Sequence, residues 1–489
     1  MASSEAARQD ASGRCAFRDR VGSAAIHSVT GFAAYARGMI PARPGGRTGF
    51  LPLPLLLLLL LLSGCATTPR GPDLAALYAR ATAAETAPPV IVIPGLMGSS
   101  LVDARSGESV WPGRLQDLAF SDYARLARIG PAWAGEDSIR AGSILREIGG
   151  IDIHGALLDT LEHAGRFRPG QAGEPVQDGD RRRFYTLAYD WRQPNIVAVR
   201  QLHALIDQIR LDHGDPTLRV DLIAHSNGGL IAQYYLRYGP HDVLEQADPQ
   251  PWAEGRQRVR RVAMLGTPNL GAVASLQRLL EGFRFTVRTV PVWALATFPT
   301  VFETLPHPLT QVVHDRDGQP LALDLFDATV WRDNRWSVFS PEVEQRVLRD
   351  FGADGPAVLA VLQDEFARNL WRARQFNEAL ARPFPSAGLR IAAFGGDCGA
   401  TLAGAVLEVE EGRAMLAFRP RDVRRPNAEV DYRSLLEAPG DGLVTRTSQD
   451  AADFGFVPIQ QSFFLCENHA RLLANRYFQN NLLNFLLRP

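Results

Sequence analysis

The stretch Val220-Asp221-Leu222-Ile223-Ala224-His225-Ser226-Asn227-Gly228-Gly229-Leu230-Ile231 runs an apolar strand straight into a helix through a serine. A turn this tight holds its apex residue in strained backbone geometry and pushes that side chain out of the sheet. Ala224 and Gly228, two residues to either side of Ser226, are small enough to let strand and helix close on each other. Ser-Asn-Gly-Gly is also ordinary turn chemistry. The strand-like run before it and the helical run after it supply the context that a nucleophile elbow requires. Ser226 is therefore the candidate nucleophile, its Oγ exposed above the positive end of the next helix.

A serine at such an elbow attacks only when a histidine takes its proton and a carboxylate fixes the tautomer of that histidine. In chain order the acid follows the serine and the histidine comes last. Downstream of Ser226 stand His241, His307, His314 and His469. His241 directly follows the elbow helix, and His307 and His314 lie in a Pro-rich aromatic stretch that reads as an insertion. His469 ends Phe463-Phe464-Leu465-Cys466-Glu467-Asn468, an apolar run breaking into polar residues before a final helix. That is where a histidine loop beyond a last strand belongs. The preferred acid is Asp441 in Pro439-Gly440-Asp441-Gly442, 28 residues before His469, with Asp397 in Gly395-Gly396-Asp397-Cys398 as its rival. An oxyanion needs two backbone N–H donors. Asn227 follows the nucleophile, and Leu96 lies in Pro94-Gly95-Leu96-Met97-Gly98, the loop after the buried strand Pro88–Ile93.

Five segments in order resemble the lecithin:cholesterol acyltransferase family, including its phospholipase A2 and phospholipid:diacylglycerol acyltransferase relatives. They are Pro89–Leu101, Tyr189-Asp190-Trp191-Arg192, Ala224–Gly229, Gly266-Thr267-Pro268-Asn269 and Gly440–Thr445, with His469 after them. The resemblance spans roughly residues 88–489, and Tyr-Asp-Trp-Arg ahead of the elbow is its most diagnostic part. It implies an α/β-hydrolase fold, a triad of Ser226, Asp441 and His469, and an oxyanion hole at Leu96 and Asn227. Methionine is common after the family's serine; Asn227 replaces it here, and Leu96 stands where some members carry a polar residue. Both changes keep the backbone amides, so they bear on substrate preference.

The chain has 489 residues, 46% of them hydrophobic, and a formal charge of −1. That length allows a large core in one big domain with insertions or in two domains. All 52 basic residues are arginine, balanced by 53 acids, and no basic run exceeds Arg181-Arg182-Arg183, so nothing points to nucleic acid. Leu51–Leu62 is nearly pure leucine, with Arg43 and Arg47 before it and Leu62-Ser63-Gly64-Cys65 at its end. A basic start, a dozen apolar residues and a small-residue exit describe an export signal, and the run is too short for a membrane span of ~20 apolar residues. Leu-Ser-Gly-Cys resembles a bacterial lipobox. It implies cleavage before Cys65, lipidation of its thiol, and residence in the cell envelope on the periplasmic or outer-membrane side. The signal peptide then covers 39–64, starting at Met39, and residues 1–38 read as a mis-called or disordered extension. Cys398 and Cys466 remain as a disulfide pair in an exported protein. No Cys/His spacing suits zinc, and no cofactor is expected.

Residues 65–87 read as a tether, 88–271 as the first part of the core, 272–388 as an inserted cap, and 389–489 as the rest of the core. Alternating strands and helices predict a mostly parallel sheet with helices on both faces. Trp111 to about Gly150 shows little periodicity, holds Trp133, and by the family resemblance faces a membrane. The insertion holds Trp293, Trp331, Trp336 and Trp371, four of the eight tryptophans. It reads as a lid over an acyl-chain pocket or as a packed subdomain. The expected function is a lipid acyl-ester enzyme, O-acyltransferase or phospholipase/lipase, working through an acyl-enzyme on a lipid or acyl-ester substrate at a membrane. A thioesterase, a polyester depolymerase and a catalytically idle envelope binding protein are the alternatives. The sequence leaves the oligomeric state open.

Overall fold

Val90–Ile93 and Val220–His225 are buried along their whole length, which only a strand covered on both faces can be. They form the centre of a seven-stranded sheet. Its strands in chain order are β1 (Val90–Ile93), β2 (Arg168–Pro169), β3 (Arg183–Thr186), β4 (Val220–His225), β5 (Val259–Leu265), β6 (Arg390–Gly396) and β7 (Gln461–Leu465). The spatial order is β7-β6-β5-β4-β1-β3-β2, and every neighbouring pair is parallel. Burying each Val or Ile of these strands contributes about 1.5–3 kcal/mol. The computed structural model describes residues 71–83, 87–129, 137–177, 179–285 and 288–488, all within one compact unit from Arg70 to Pro489.

Helices cover both faces. After β3 comes α1 (Asn195–Asp212), whose Ile196, Val199, Leu202, Ile206 and Ile209 recur at helical spacing and face the sheet. The elbow helix α2 (Asn227–Tyr238) is buried at every residue, because the insertion packs over it. Between β5 and β6 that insertion includes α3 (Val273–Glu281), α4 (Pro299–Glu303) and the long α5 (Gly355–Leu380). The chain closes with α6 (Arg476–Leu487), which starts six residues after Ala470, where Asn475 caps it by accepting from the Tyr477 and Phe478 amides.

Several expectations shift. The segment expected to be a tether docks in part: Leu74–Tyr78 is a short helix, Leu74 and Tyr78 pack with Ala164 and Leu483, and the Tyr78 hydroxyl donates to the Asn480 carbonyl at 2.6 Å. Within 389–489, expected as core, Arg413–Ala417 lies outside the central sheet and pairs antiparallel with Ala405–Glu410. Local alternation marks a strand, but the partner comes from elsewhere in the chain. The stretch between β6 and β7 is thus a second excursion. Gly399–Leu402 pairs with Glu437–Gly440 and sets the position of Asp441. Residues 1–70, with Cys65, and Trp133 lie outside the described residues. Among those described, no helix is long and apolar enough to cross a membrane.

Candidate active site

Ser226 sits between β4 and α2 at φ 54 and ψ −123, a left-handed geometry that costs a non-glycine residue about 1–3 kcal/mol. Its neighbours hold it there. The Ser226 amide donates to the Leu265 carbonyl at 2.7 Å. A Cβ at Gly228 would fall 2.6 Å from the Ile93 carbonyl oxygen, so the helix can approach β1 only through glycine.

Asp441 and His469 arrive on separate loops. Nδ1 of His469 bonds Oδ2 of Asp441 at 2.7 Å, and the His469 amide donates to the Asp441 carbonyl at 2.8 Å. Oδ1 of Asp441 accepts from the Leu443 and Val444 amides at 3.0 and 2.8 Å. Burial opposes ionisation of this carboxylate, but the His469 charge and bond together with those two amides hold its pKa below the ordinary value. The pair also needs an empty volume beside it: a Cβ at Gly266, which has φ 57, would lie 2.9 Å from His469 Nδ1. The rival Asp397 is placed elsewhere, its Oδ2 accepting from Arg446 at 3.1 Å. Cys398 and Cys466 are joined in a disulfide across 68 residues, pinning the residue two past β6 to the one directly after β7, three before His469.

Ser226 and His469 line one cavity of about 230 Å³ together with Gly95, Leu96, His154 and His225. Gly95 lies against the serine, since a Cβ there would come 2.7 Å from that of Ser226. The loop turns through Gly98 N–H to Gly95 O at 3.1 Å, leaving the Leu96 amide without an acceptor among the described residues. Asn227 opens α2, so its amide has no acceptor within the helix. Burial lowers the pKa of His154 to about 4 and that of His225 well below its ordinary value, so both stay neutral beside His469.

Other residues of this site had no role assigned from sequence. The side chain of Asn227 points into a buried network: it donates to the Tyr189 hydroxyl at 3.0 Å and exchanges two hydrogen bonds with Asn195. The Tyr189 hydroxyl in turn donates to the Pro94 carbonyl at 3.2 Å. The two segments that carry the candidate oxyanion amides are therefore clamped to each other. Trp191 donates to Ser99 O, Trp111 donates to Met97 O, and Arg192, wholly buried, pairs with Asp190 and Asp137 at 2.7 Å. The Tyr-Asp-Trp-Arg segment is thus the scaffold of the loop opposite the serine. Its position ahead of the elbow was legible; its hydrogen-bond partners, about 90 residues away in sequence for Tyr189 and Trp191, were not.

Most of the remaining cavity wall is apolar, with Trp111, Trp191, Phe283, Phe285, Leu295 and Phe298, and Arg278 stands among them. None of the four cap tryptophans lines the cavity. Trp331 is fully buried against Trp336 and Phe366, and Trp293 packs on Phe351. They form the interior of the cap, and phenylalanines of the insertion reach the cavity instead.

The model of the lecithin:cholesterol acyltransferase family matches residues 179–339, from just ahead of Tyr189 through the elbow and into the insertion. No curated protein matches the chain. Among solved structures, the Tle4–Tli4 complex is similar at a TM-score of 0.54 and 15% identity, over 82% of this chain and 98% of that one. The Bacillus licheniformis lipase BlEst2 in its propeptide form has a TM-score of 0.28 at 13% identity, over 82% of this chain and 51% of its own. Lipase 1 from Pelosinus fermentans has a TM-score of 0.27 at 14% identity, over 82% of this chain and 99% of its own. The fold is that of the α/β-hydrolases. Over residues 179–339, about a third of its length, the chain is similar to that acyltransferase family.

Proposed function

We propose that this chain is a serine-dependent lipid acyl-ester enzyme, acting as phospholipase/lipase or as O-acyltransferase through an acyl-enzyme. The observation that carries the reading is the 2.7 Å bond between His469 and Asp441 on a cavity shared with the strained Ser226. Ser226 Oγ attacks the ester carbonyl while His469 takes its proton, and Asp441 stabilises the resulting imidazolium. The Leu96 and Asn227 amides receive the developing oxyanion. His469 then returns the proton to the departing alcohol, and water or a second alcohol completes the cycle. The aromatic cavity wall supports an extended acyl chain as the group held. Phe120 and Ile151, exposed at 73% and 64%, support approach to a lipid surface.

A fluorophosphonate probe tests the reading. Ser226 should be labelled, the peptide containing it should carry the adduct by mass spectrometry, and Ser226→Ala should be unlabelled and inactive on p-nitrophenyl octanoate. An unlabelled, inactive wild-type protein would make the chain a binding protein on a hydrolase fold. Export and attachment through a lipidated Cys65 belong to the same proposal, supported by Leu51–Leu62 and Leu62-Ser63-Gly64-Cys65. A mature N-terminus other than a modified Cys65 would remove the anchor from it.

A further inference from the structure

One side chain of the catalytic cavity has no part in the chemistry above. Arg278, in the last turn of α3, lines the cavity with Ser226 and His469 among apolar and aromatic groups. Its guanidinium lies over the Phe283 ring, 4.8 Å from the centroid. It makes no ion pair and no side-chain hydrogen bond among the described residues. Glu281, three residues on, accepts from Gln277. Asp441 has both oxygens occupied, by His469 and by the two amides. The residue keeps part of its surface exposed, while burial alone lowers its pKa to about 10, so it is a cation at neutral pH.

Arg237 shows what a structural arginine looks like in this protein. It is fully buried beneath the Phe384 ring, and the carbonyls of Arg382, Gln233 and Phe456 take up its donors. Arg278 has a ring beneath it and no acceptors. A withdrawn cation without a counter-charge is costly unless a ligand brings one. No described residue lining the cavity carries a negative charge that could receive a ligand cation.

We propose that Arg278 is the specificity determinant of this cavity, receiving an anionic phosphate on the leaving portion of the acyl donor and favouring donors whose phosphate has no cation attached. The proposal rests on Ser226 being the nucleophile of the same cavity. A planar guanidinium donates two parallel hydrogen bonds to a phosphate. A quaternary ammonium in the same headgroup would enter a cavity that offers it no carboxylate.

The test compares soluble dioctanoyl phosphatidylglycerol with dioctanoyl phosphatidylcholine in the wild type, Arg278→Gln and Arg278→Lys. The ratio of kcat/KM, anionic over zwitterionic, should be about ten in the wild type, fall to about one in Arg278→Gln and stay in between in Arg278→Lys, since one charged contact corresponds to about a tenfold change. The wild-type ratio should also shrink as salt is raised. A wild-type ratio near one, or a ratio that Arg278→Gln leaves unmoved, overturns the proposal and reduces Arg278 to packing on Phe283. Binding of dihexanoyl phosphatidylglycerol to Ser226→Ala, with and without Arg278→Gln, separates the two readings. If the wild type turns over no ester but affinity in the Ser226→Ala background still drops about tenfold on losing Arg278, the nucleophile reading fails and the anion seat stands. Equal affinities remove the seat.

Discussion

The catalytic cavity has two walls of different origin. The sheet-side wall, with Gly95, Leu96, Ser226 and His469, comes from loops at the ends of β1, β4 and β7. The cap-side wall, with Arg278, Phe283, Leu295 and Phe298, comes from an insertion that joins no strand of the central sheet. On the first wall the chemistry dictates residue types, and the sheet dictates where they can be. On the second, apart from Arg278, a side chain has only to fill space and exclude water. On the proposed mechanism the sheet-side wall is fixed, and the cap-side wall is free to set the substrate.

The sharpest way to break that contrast is on the sheet side. Asp441→Asn should lower kcat on p-nitrophenyl octanoate by on the order of 10³–10⁴. Asp397→Asn, which loses only a partly exposed bond to Arg446, should change it less than about threefold. The opposite pattern would transfer the acid role to Asp397 and undo the assignment of this wall.

A smaller effect is expected where the amide is kept but its support is lost. Asn227→Ala retains the N–H at the elbow, strands the Asn195 side chain and takes one donor from the Tyr189 hydroxyl, which keeps its bond to the Pro94 carbonyl. Unpaired buried polar groups cost about 1–3 kcal/mol each. If the clamp positions the oxyanion amides, kcat should fall about ten- to a hundredfold with KM changed little, and Tyr189→Phe should show the same signature more weakly. Equal losses in kcat and in binding of a ground-state ester would mean a general loosening of the site.

These differences explain what could be read from the chain. Ser226 and His469 were legible because each follows a short apolar run, and Asp441 because a glycine-flanked turn holds it between them in the chain order the resemblance implies. Asn227 was legible only as an amide. Its side-chain partners Tyr189 and Asn195 lie 38 and 32 residues away, and no periodicity links them. The cap was legible as an aromatic block, but Trp293, Trp331 and Trp336 are buried in its interior. A large insertion needs its own core, and the bulkiest apolar side chains bury the most area there. Arg278 gave no signal in a chain where every basic residue is arginine.

On the cap side, chain-length preference sharpens the comparison. Specificity on p-nitrophenyl esters should rise from acetate to octanoate, each buried methylene adding up to ~0.8 kcal/mol until the cavity is full. Phe298→Ala removes part of that wall and should flatten the rise about threefold while sparing acetate. Trp331→Ala should lower Tm by opening the cap interior yet leave the octanoate-to-acetate ratio near wild type. If Trp331→Ala shifts the ratio as Phe298→Ala does, the cap responds as one elastic body and the distinction between interior and wall fails.

The two walls meet at Glu303, on the last residue of α4. Its Oε2 accepts from the Asn195 amide at 2.9 Å, which ties the cap to the network behind Asn227. Burial pushes its pKa up to about 8 against the Asn195 bond that lowers it, so the folded protein holds a proton that the unfolded chain has released above about pH 4.5. The folded state therefore binds more protons between those values, and stability from this group must fall as pH rises from about 4.5 to about 8 and level off above. Glu303→Gln keeps the size and an acceptor oxygen but removes the titration. The variant should match the wild type near pH 4.5 and exceed it in Tm by a few degrees at pH 8, with kcat altered less than about threefold. The measurement is Tm against pH for both proteins. Parallel curves would show that the carboxyl is ionised in the folded state throughout. The join between cap and oxyanion network would then be a charge-assisted bond from the Asn195 amide.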